Sequence, residues 1–241
     1  MNQHEAVIKT MEEYGGYATL GFLNQSVDVS DWKTKTPFAT IRRIVQDKRF
    51  FFKIRPGLWA LKTYKNKLPE NVFPAEKVSK TKQEEFNHSY YQGLLAEIGN
   101  LKRQKTFVPY QDKNKKYLEK KLSEITTIEK FYDFTYKNLL RYATTIDVSW
   151  FNERKMPSSF FEVEHSTDIK NSLGKFVQLQ DFHAKFYIVA DIARKREYED
   201  KLNLSMFKSV QSRVSFIDYE SLSNWHTKSF EVSELEHNFN F

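Results

Sequence analysis

The chain has 241 residues, enough for one large domain or two small ones with a substantial core. It contains no cysteine, which excludes a disulfide framework, a thiolate–zinc site and a cysteine nucleophile. The net charge of +7 lies wholly in the first third: residues 1–82 hold 15 Lys/Arg against 8 Asp/Glu, leaving 23 of each beyond. Basic charge gathered on one module is the footprint of a polyanion partner, most often nucleic acid, with a solvated basic surface as the plain alternative. No apolar run approaches the ~18 residues of a membrane span, and Met1–Glu5 shows no signal-peptide pattern. A cytoplasmic protein with no membrane partner is the expectation.

In chain order, Ala6, Val7, Met11 and Tyr14 recur near helical spacing over His4–Tyr14, and Gly15-Gly16 ends the run. A second short helix is predicted over Tyr17–Gln25, then a loop, then a third helix opened by Pro37 and running to Asp47. Phe50–Ile54 and Leu58–Leu61 flank Arg55-Pro56-Gly57, a β-hairpin with its turn residues in place. Residues 63–82 read as a linker containing Pro69 and Pro74.

Beyond it, Phe86, Tyr90, Leu94 and Ile98 mark a helix over Gln83–Arg103. Thr106–Pro109 reads as extended, Gln111–Lys121 as a basic stretch, and Thr127–Tyr142 as a further helix. Two strands follow, Thr144–Phe151 and Ser159–His165, then a helix over Leu173–Phe182 and a doubly buried strand over Phe186–Ala190. A helix over Glu197–Val210 and a strand over Val214–Tyr219 complete a layered order of helices and strands.

The chemistry concentrates in the two strands. Side chains alternate faces along a strand, so Glu162 and Glu164 point one way while Phe161 and Val163 point the other. Two carboxylates about 7 Å apart repel unless a proton or a cation intervenes. If the strands pair as a hairpin, Asp147 joins them, and three converging carboxylates suit a hard cation such as Mg²⁺. The ordinary reading of such alternation is a solvated strand face.

The three short helices and the hairpin, with Phe52 followed by Arg55-Pro56-Gly57-Leu58-Trp59-Ala60-Leu61, resemble a HARE-type winged helix-turn-helix over residues 1–62. That resemblance implies binding to double-stranded DNA through the third helix. Lys33, Lys35, Thr36, Thr40, Arg42 and Arg43 would then face DNA, with Lys53 and Arg55 on the wing.

The order from residue 83 onward resembles the restriction-endonuclease-like PD-(D/E)XK nucleases of prokaryotes, whose motif is an Asp on one strand and D/E-x-K on the next. Asp147 matches the first acid and Glu162-Val163-Glu164 the second element, with Glu164 where the Lys usually stands. The resemblance implies a fold of the α/β (α+β) class, a winged helix joined to a mixed sheet flanked by helices in residues 83–241. It also implies a Mg²⁺-dependent endonuclease, with Mn²⁺ as the alternative ion. Asp147, Glu162, Val163 and Glu97 are its implied metal site, and Asp147, Glu162 and Glu164 its catalytic residues. Lys175 and Lys185 are candidates for a displaced cation, with surface lysines as the plain reading. A palindromic double-strand cut would call for a homodimer or two binding events. The rival reading is a DNA-binding regulator or interaction protein built on an inactive nuclease fold.

Overall fold

Asn2 opens the first helix, α1 (Gln3–Glu13), with a reciprocal cap: its side chain accepts the Glu5 N–H while the Glu5 carboxylate accepts its own N–H. These are the first features of a computed structural model that describes residues 2–75 and 78–238. Residues 76 and 77 of the expected linker, and residues 1 and 239–241 of the expected domains, lie outside that set.

Gly15 and Gly16, both at positive φ, turn the chain into β1 (Tyr17–Thr19). A single helix was expected over Tyr17–Gln25, but its first three residues are claimed by a sheet, and only then does Thr19 cap α2 (Leu20–Ser26) by accepting the Phe22 N–H. Pro37 opens α3 (Pro37–Val45) as expected. The hairpin forms as β2 (Phe51–Arg55) and β3 (Leu58–Leu61) about Gly57. The sheet runs β1-β3-β2, antiparallel throughout, over a core of Val7, Met11, Leu23, Ile41, Ile44 and Phe51.

The chain divides into two units, Met1–Val78 with Ser223–Phe241, and Ser79–Leu222. The second begins with α4 (Lys80–Leu101) and β4 (Lys105–Phe107). A small hairpin of β5 (Lys116–Tyr117) and β6 (Lys120–Lys121) leads to α5 (Leu122–Ile125). After α6 (Lys137–Ala143) come β7 (Val148–Phe151), β8 (Pro157–Glu164) and α7 (Ile169–Gln178). Then follow β9 (Lys185–Ala190), α8 (Lys195–Leu202), β10 (Val214–Asp218) and α9 (Tyr219–Asn238), whose later turns belong to the first unit.

Five strands in the order β10-β9-β8-β7-β4 make one mixed sheet. β4, β7 and β8 are antiparallel, whereas β8, β9 and β10 are parallel and joined through α7 and α8. Phe107, Phe151, Phe160, Phe176 and Phe186 are fully buried in its core, each contributing roughly 1.5–3 kcal/mol of burial. This is a mixed sheet flanked by helices, the α+β class that the sequence implied.

Three further elements depart from the sequence reading. The helix expected over Thr127–Tyr142 is limited to α6. Upstream of it, Thr127 and Ile128 donate to the Thr106 carbonyl, and Thr106 donates to the Thr127 hydroxyl at 2.7 Å. Phe131 and Phe134 are thereby laid against the core without helical periodicity. The helix expected to reach Val210 stops at Leu202. The long α9 was not anticipated at all.

Candidate active site

The antiparallel register sets Val148 opposite Phe161, so Asp147, just ahead of β7, stands beside Glu162 and Val163. Its Oδ2 accepts the Val163 N–H at 2.7 Å, and its Oδ1 lies 3.2 Å from His88 Nε2. Glu162 and Glu164 share one face of β8 and both are buried, 3% exposed each. A solvated strand face is therefore not what they form. All three carboxylates line a cavity of about 380 Å³, together with Glu84, His88 and Lys175.

Helix α7 closes the far side. Asp168 caps its start by accepting the Lys170 N–H at 2.9 Å. Three residues apart on this helix, Ser172 and Lys175 both reach the carboxylates. The Lys175 ammonium donates to both oxygens of Glu162, at 2.8 and 3.0 Å. The Ser172 hydroxyl lies 3.1 Å from Glu162 Oε2 and also bonds Glu164 Oε1, while the Thr167 hydroxyl bonds Glu164 Oε2. A hydroxyl carries one proton, so Ser172 can donate to only one of the two glutamates at a time.

The charges are unequal in consequence. Burial, reinforced by the Asp147 carboxylate, lifts Glu162 well above the usual carboxylate range despite Lys175. Burial also raises Glu164, against the opposing Ser172 hydrogen bond. Burial alone would raise Asp147, but His88, the Val163 N–H and Lys175 outweigh it and hold the carboxyl below its ordinary value. Burial opposes the charge on His88 and on Lys175, yet the carboxylates facing them raise both. Asp147 is thus the settled anion, Lys175 the settled cation, and Glu162 and Glu164 the groups closest to holding a proton.

A second set of donors meets at Asp147: one atom each of His88, Asp112 and Asp147 lies within 4.8 Å of the others, a grouping able to hold a metal ion. Asp112 is also bound by Lys115 at 2.7 Å and by Gln92 at 2.8 Å.

Of the residues expected from the sequence, Asp147, Glu162, Val163 and Glu164 are brought together. Glu97 is not in the cavity lining; it accepts the Tyr117 hydroxyl at 2.7 Å. Nine residues at about 100° each put it on the side of α4 opposite His88. Glu84, His88 and Gln92, spaced by four, form the inward ladder, and that spacing was readable in the sequence. Lys185 is exposed at the start of β9, opposite Ser159 at the other end of β8.

In the first unit, Lys33, Lys35, Thr36, Arg43 and Lys53 are exposed around α3 and the hairpin. Three further expected DNA contacts have partners within this unit. Thr40 is buried and donates to the Thr36 carbonyl at 3.2 Å. Arg42 pairs with Glu231 of α9 at 3.2 Å, and Arg55 donates to the Val72 carbonyl at 2.8 Å.

The mixed sheet with acids at the end of a central strand defines a class of site; the comparisons give the family. Residues 67–238 match the family described as the type II restriction enzyme NmeDI C-terminal domain, and the chain belongs to that family. It is similar to the type II restriction enzyme NmeDI of Neisseria meningitidis serogroup C, 26% identical over 137 residues. That alignment covers 52% of this chain and 39% of the relative, so the chain spans well under half of the relative's length. No solved structure matches it. Among the described residues, no helix is long and apolar enough to cross a membrane.

Proposed function

We propose that the protein is a Mg²⁺-dependent DNA endonuclease of the type II restriction kind, with a PD-(D/E)XK-like site and a winged helix for DNA recognition. The observation that carries this reading is the meeting of Asp147, Glu162 and Glu164 in one cavity with the Lys175 ammonium 2.8 Å from Glu162. Topology supports it too: a helix, an antiparallel β4-β7-β8 meander, a crossover helix and parallel β9 present these acids. Lys175, from α7, supplies the cation that Glu164 removes from the strand.

The donor set fits a hard divalent ion, because buried carboxylates with raised proton affinity are relieved by a cation as well as by a proton. Asp147, Glu162 and the Val163 carbonyl would hold it. Bound there, the ion would polarise the scissile phosphate and acidify a water. Asp147 is kept ionised and oriented by His88 and the Val163 N–H. Glu164, its proton affinity raised toward the working range, is suited to take the proton of the attacking water. Lys175, protonated, is suited to face a phosphate oxygen. In the first unit, the order helix, strand, helix, helix and hairpin supports DNA docking through α3, with Lys33, Lys35, Thr36, Arg43 and Lys53 outward.

The test is incubation with mixed plasmid and genomic DNAs, methylated and unmethylated, in Mg²⁺ or EDTA. Discrete Mg²⁺-dependent fragments are expected. Asp147→Asn should abolish cutting, and Lys175→Met should slow it by about 10²–10⁴-fold, both with DNA binding in EDTA retained. DNA bound but never cut would sink the nuclease reading.

A further inference from the structure

We propose that the β5–β6 hairpin is a clamp for the DNA phosphate backbone beside the cavity, with Lys116 and Lys121 as its gripping pair and Lys120 adjoining. The inference rests on the nuclease reading and adds a contact surface outside the reaction centre.

The register is the first argument. Lys116 lies directly opposite Lys121, and Tyr117 opposite Lys120, in a ribbon two residues long on each side. Directly opposed residues hold their Cβ atoms about 5 Å apart, and like charges there destabilise the pair. A Lys–Glu pair would be equally soluble without that cost. A ribbon this short cannot hold itself together, and the turn residue Leu118 adds a left-handed φ of 52°. Of these two costs, the like-charge one is relieved by a bound anion.

The facing of the hairpin is fixed. Tyr117 is 2% exposed and its ring seats on Gly93 of α4, where an added Cβ would lie 2.1 Å from the ring. With Tyr117 held inward, alternation turns Lys116 and its partner Lys121 outward, and all three lysines are exposed. Neighbouring cations are already engaged: Lys113 bonds the Glu129 carbonyl and covers the Tyr110 ring, and Lys115 pairs with Asp112. Among the described residues, Lys116, Lys120 and Lys121 have no ion-pair partner. The nearby Glu124 carboxylate accepts the backbone N–H of Lys121 at 2.6 Å. Glu119, in the turn, is the one acid between Lys113 and Lys121.

Position supplies the partner. The Ser89 hydroxyl donates to the Lys116 carbonyl at 2.8 Å, and the residues next to each, His88 and Lys115, line the cavity. The hairpin thus adjoins the cavity, and a duplex presenting a phosphodiester to the carboxylates would extend past the cavity mouth toward its outer face. Its backbone carries one negative charge per about 1.7 Å of axis, enough to meet both lysines at once.

The experiment measures binding of the full chain to duplex DNA in EDTA across a range of salt, for the native protein, Lys116→Gln/Lys121→Gln and Lys116→Glu. Loss of two phosphate contacts should lower the slope of log K against log salt by about 1.8 and weaken binding by roughly tenfold, equally for all sequences. Lys116→Glu should weaken binding while its Tm equals or exceeds the native value, because the like-charge pair becomes an unlike one. Native affinity and slope in the double variant would overturn the clamp while leaving the nuclease intact. So would weaker binding with the native slope and a lowered Tm, the mark of a structural role. A native protein that binds no DNA would overturn the underlying function as well.

Discussion

Glu164 stands where the proposed nuclease motif would carry a lysine, and its surroundings explain how a carboxylate can sit there. Both oxygens meet hydroxyls, from Thr167 and Ser172, and the side chain is almost fully buried. Burial raises its proton affinity. The folded protein therefore binds more protons than the unfolded chain above the ordinary Glu pKa, and loses stability as pH rises through that window. Glu164→Gln keeps the acceptor oxygen and removes the charge. It should raise Tm near pH 8 in EDTA and bring no gain near pH 4, where the native side chain is already neutral. An equal Tm at both pH values would remove burial of the charge as the cause. The same substitution should slow cleavage, so stability and activity part company at this residue. The pairing of Asp147 with Glu162 was legible, because period-two alternation and a hairpin require it. Lys175 could be named only as one of two candidate lysines, since 13 residues and a helix register separate it from Glu162.

At the scale of the element, α4 packs against β4, β5, β7, β8 and α5. Gly99 lies where an added Cβ would come within 2.5 Å of Thr106 and 2.7 Å of the Trp150 indole nitrogen, which donates to the Leu95 carbonyl. In an open helix, Gly→Ala gains up to about 1 kcal/mol. Here the sign reverses: Gly99→Ala should cost about 1–3 kcal/mol through overpacking against a ring that is itself hydrogen-bonded. Urea unfolding would register it as a lower midpoint at unchanged slope. The periodicity of Phe86, Tyr90, Leu94 and Ile98 located this helix. The rotation of Glu97 away from the cavity follows from the same geometry. The helix expected over 127–136 rested on its wealth of Phe and Tyr, but Thr106 takes the Thr127 and Ile128 N–H groups and the segment runs on without regular structure.

At the scale of the whole molecule, charge is divided unevenly, with the excess in residues 1–82 and balance beyond. The expected DNA-facing cations separate into two kinds. Lys33, Lys35 and Arg43 are exposed, whereas Arg42 shares Glu231 with Asn24 and Lys228. Replacing Lys33, Lys35 and Arg43 together by Ala should lower the salt slope of DNA binding by up to about 2.7, with Tm little changed. Arg42→Ala should instead act on stability, by about 0.5–1.5 kcal/mol, and leave the slope near native. A reversed pattern would mean that α3 meets DNA through a different face.

The sequence by itself determined the local order: short helices, a Pro-Gly hairpin, apolar strands, and two acidic residues on one strand face. Those follow from propensity, turn chemistry and alternation, all set within a few residues. Tertiary structure alone decided which charges meet. It brought Lys175 and Ser172 onto the strand acids, set His88 against Asp147, carried α9 back to Arg42, and fixed Lys116 against Lys121. Each is a contact between elements, and no local periodicity encodes which side chains share a buried space once helices and strands have packed.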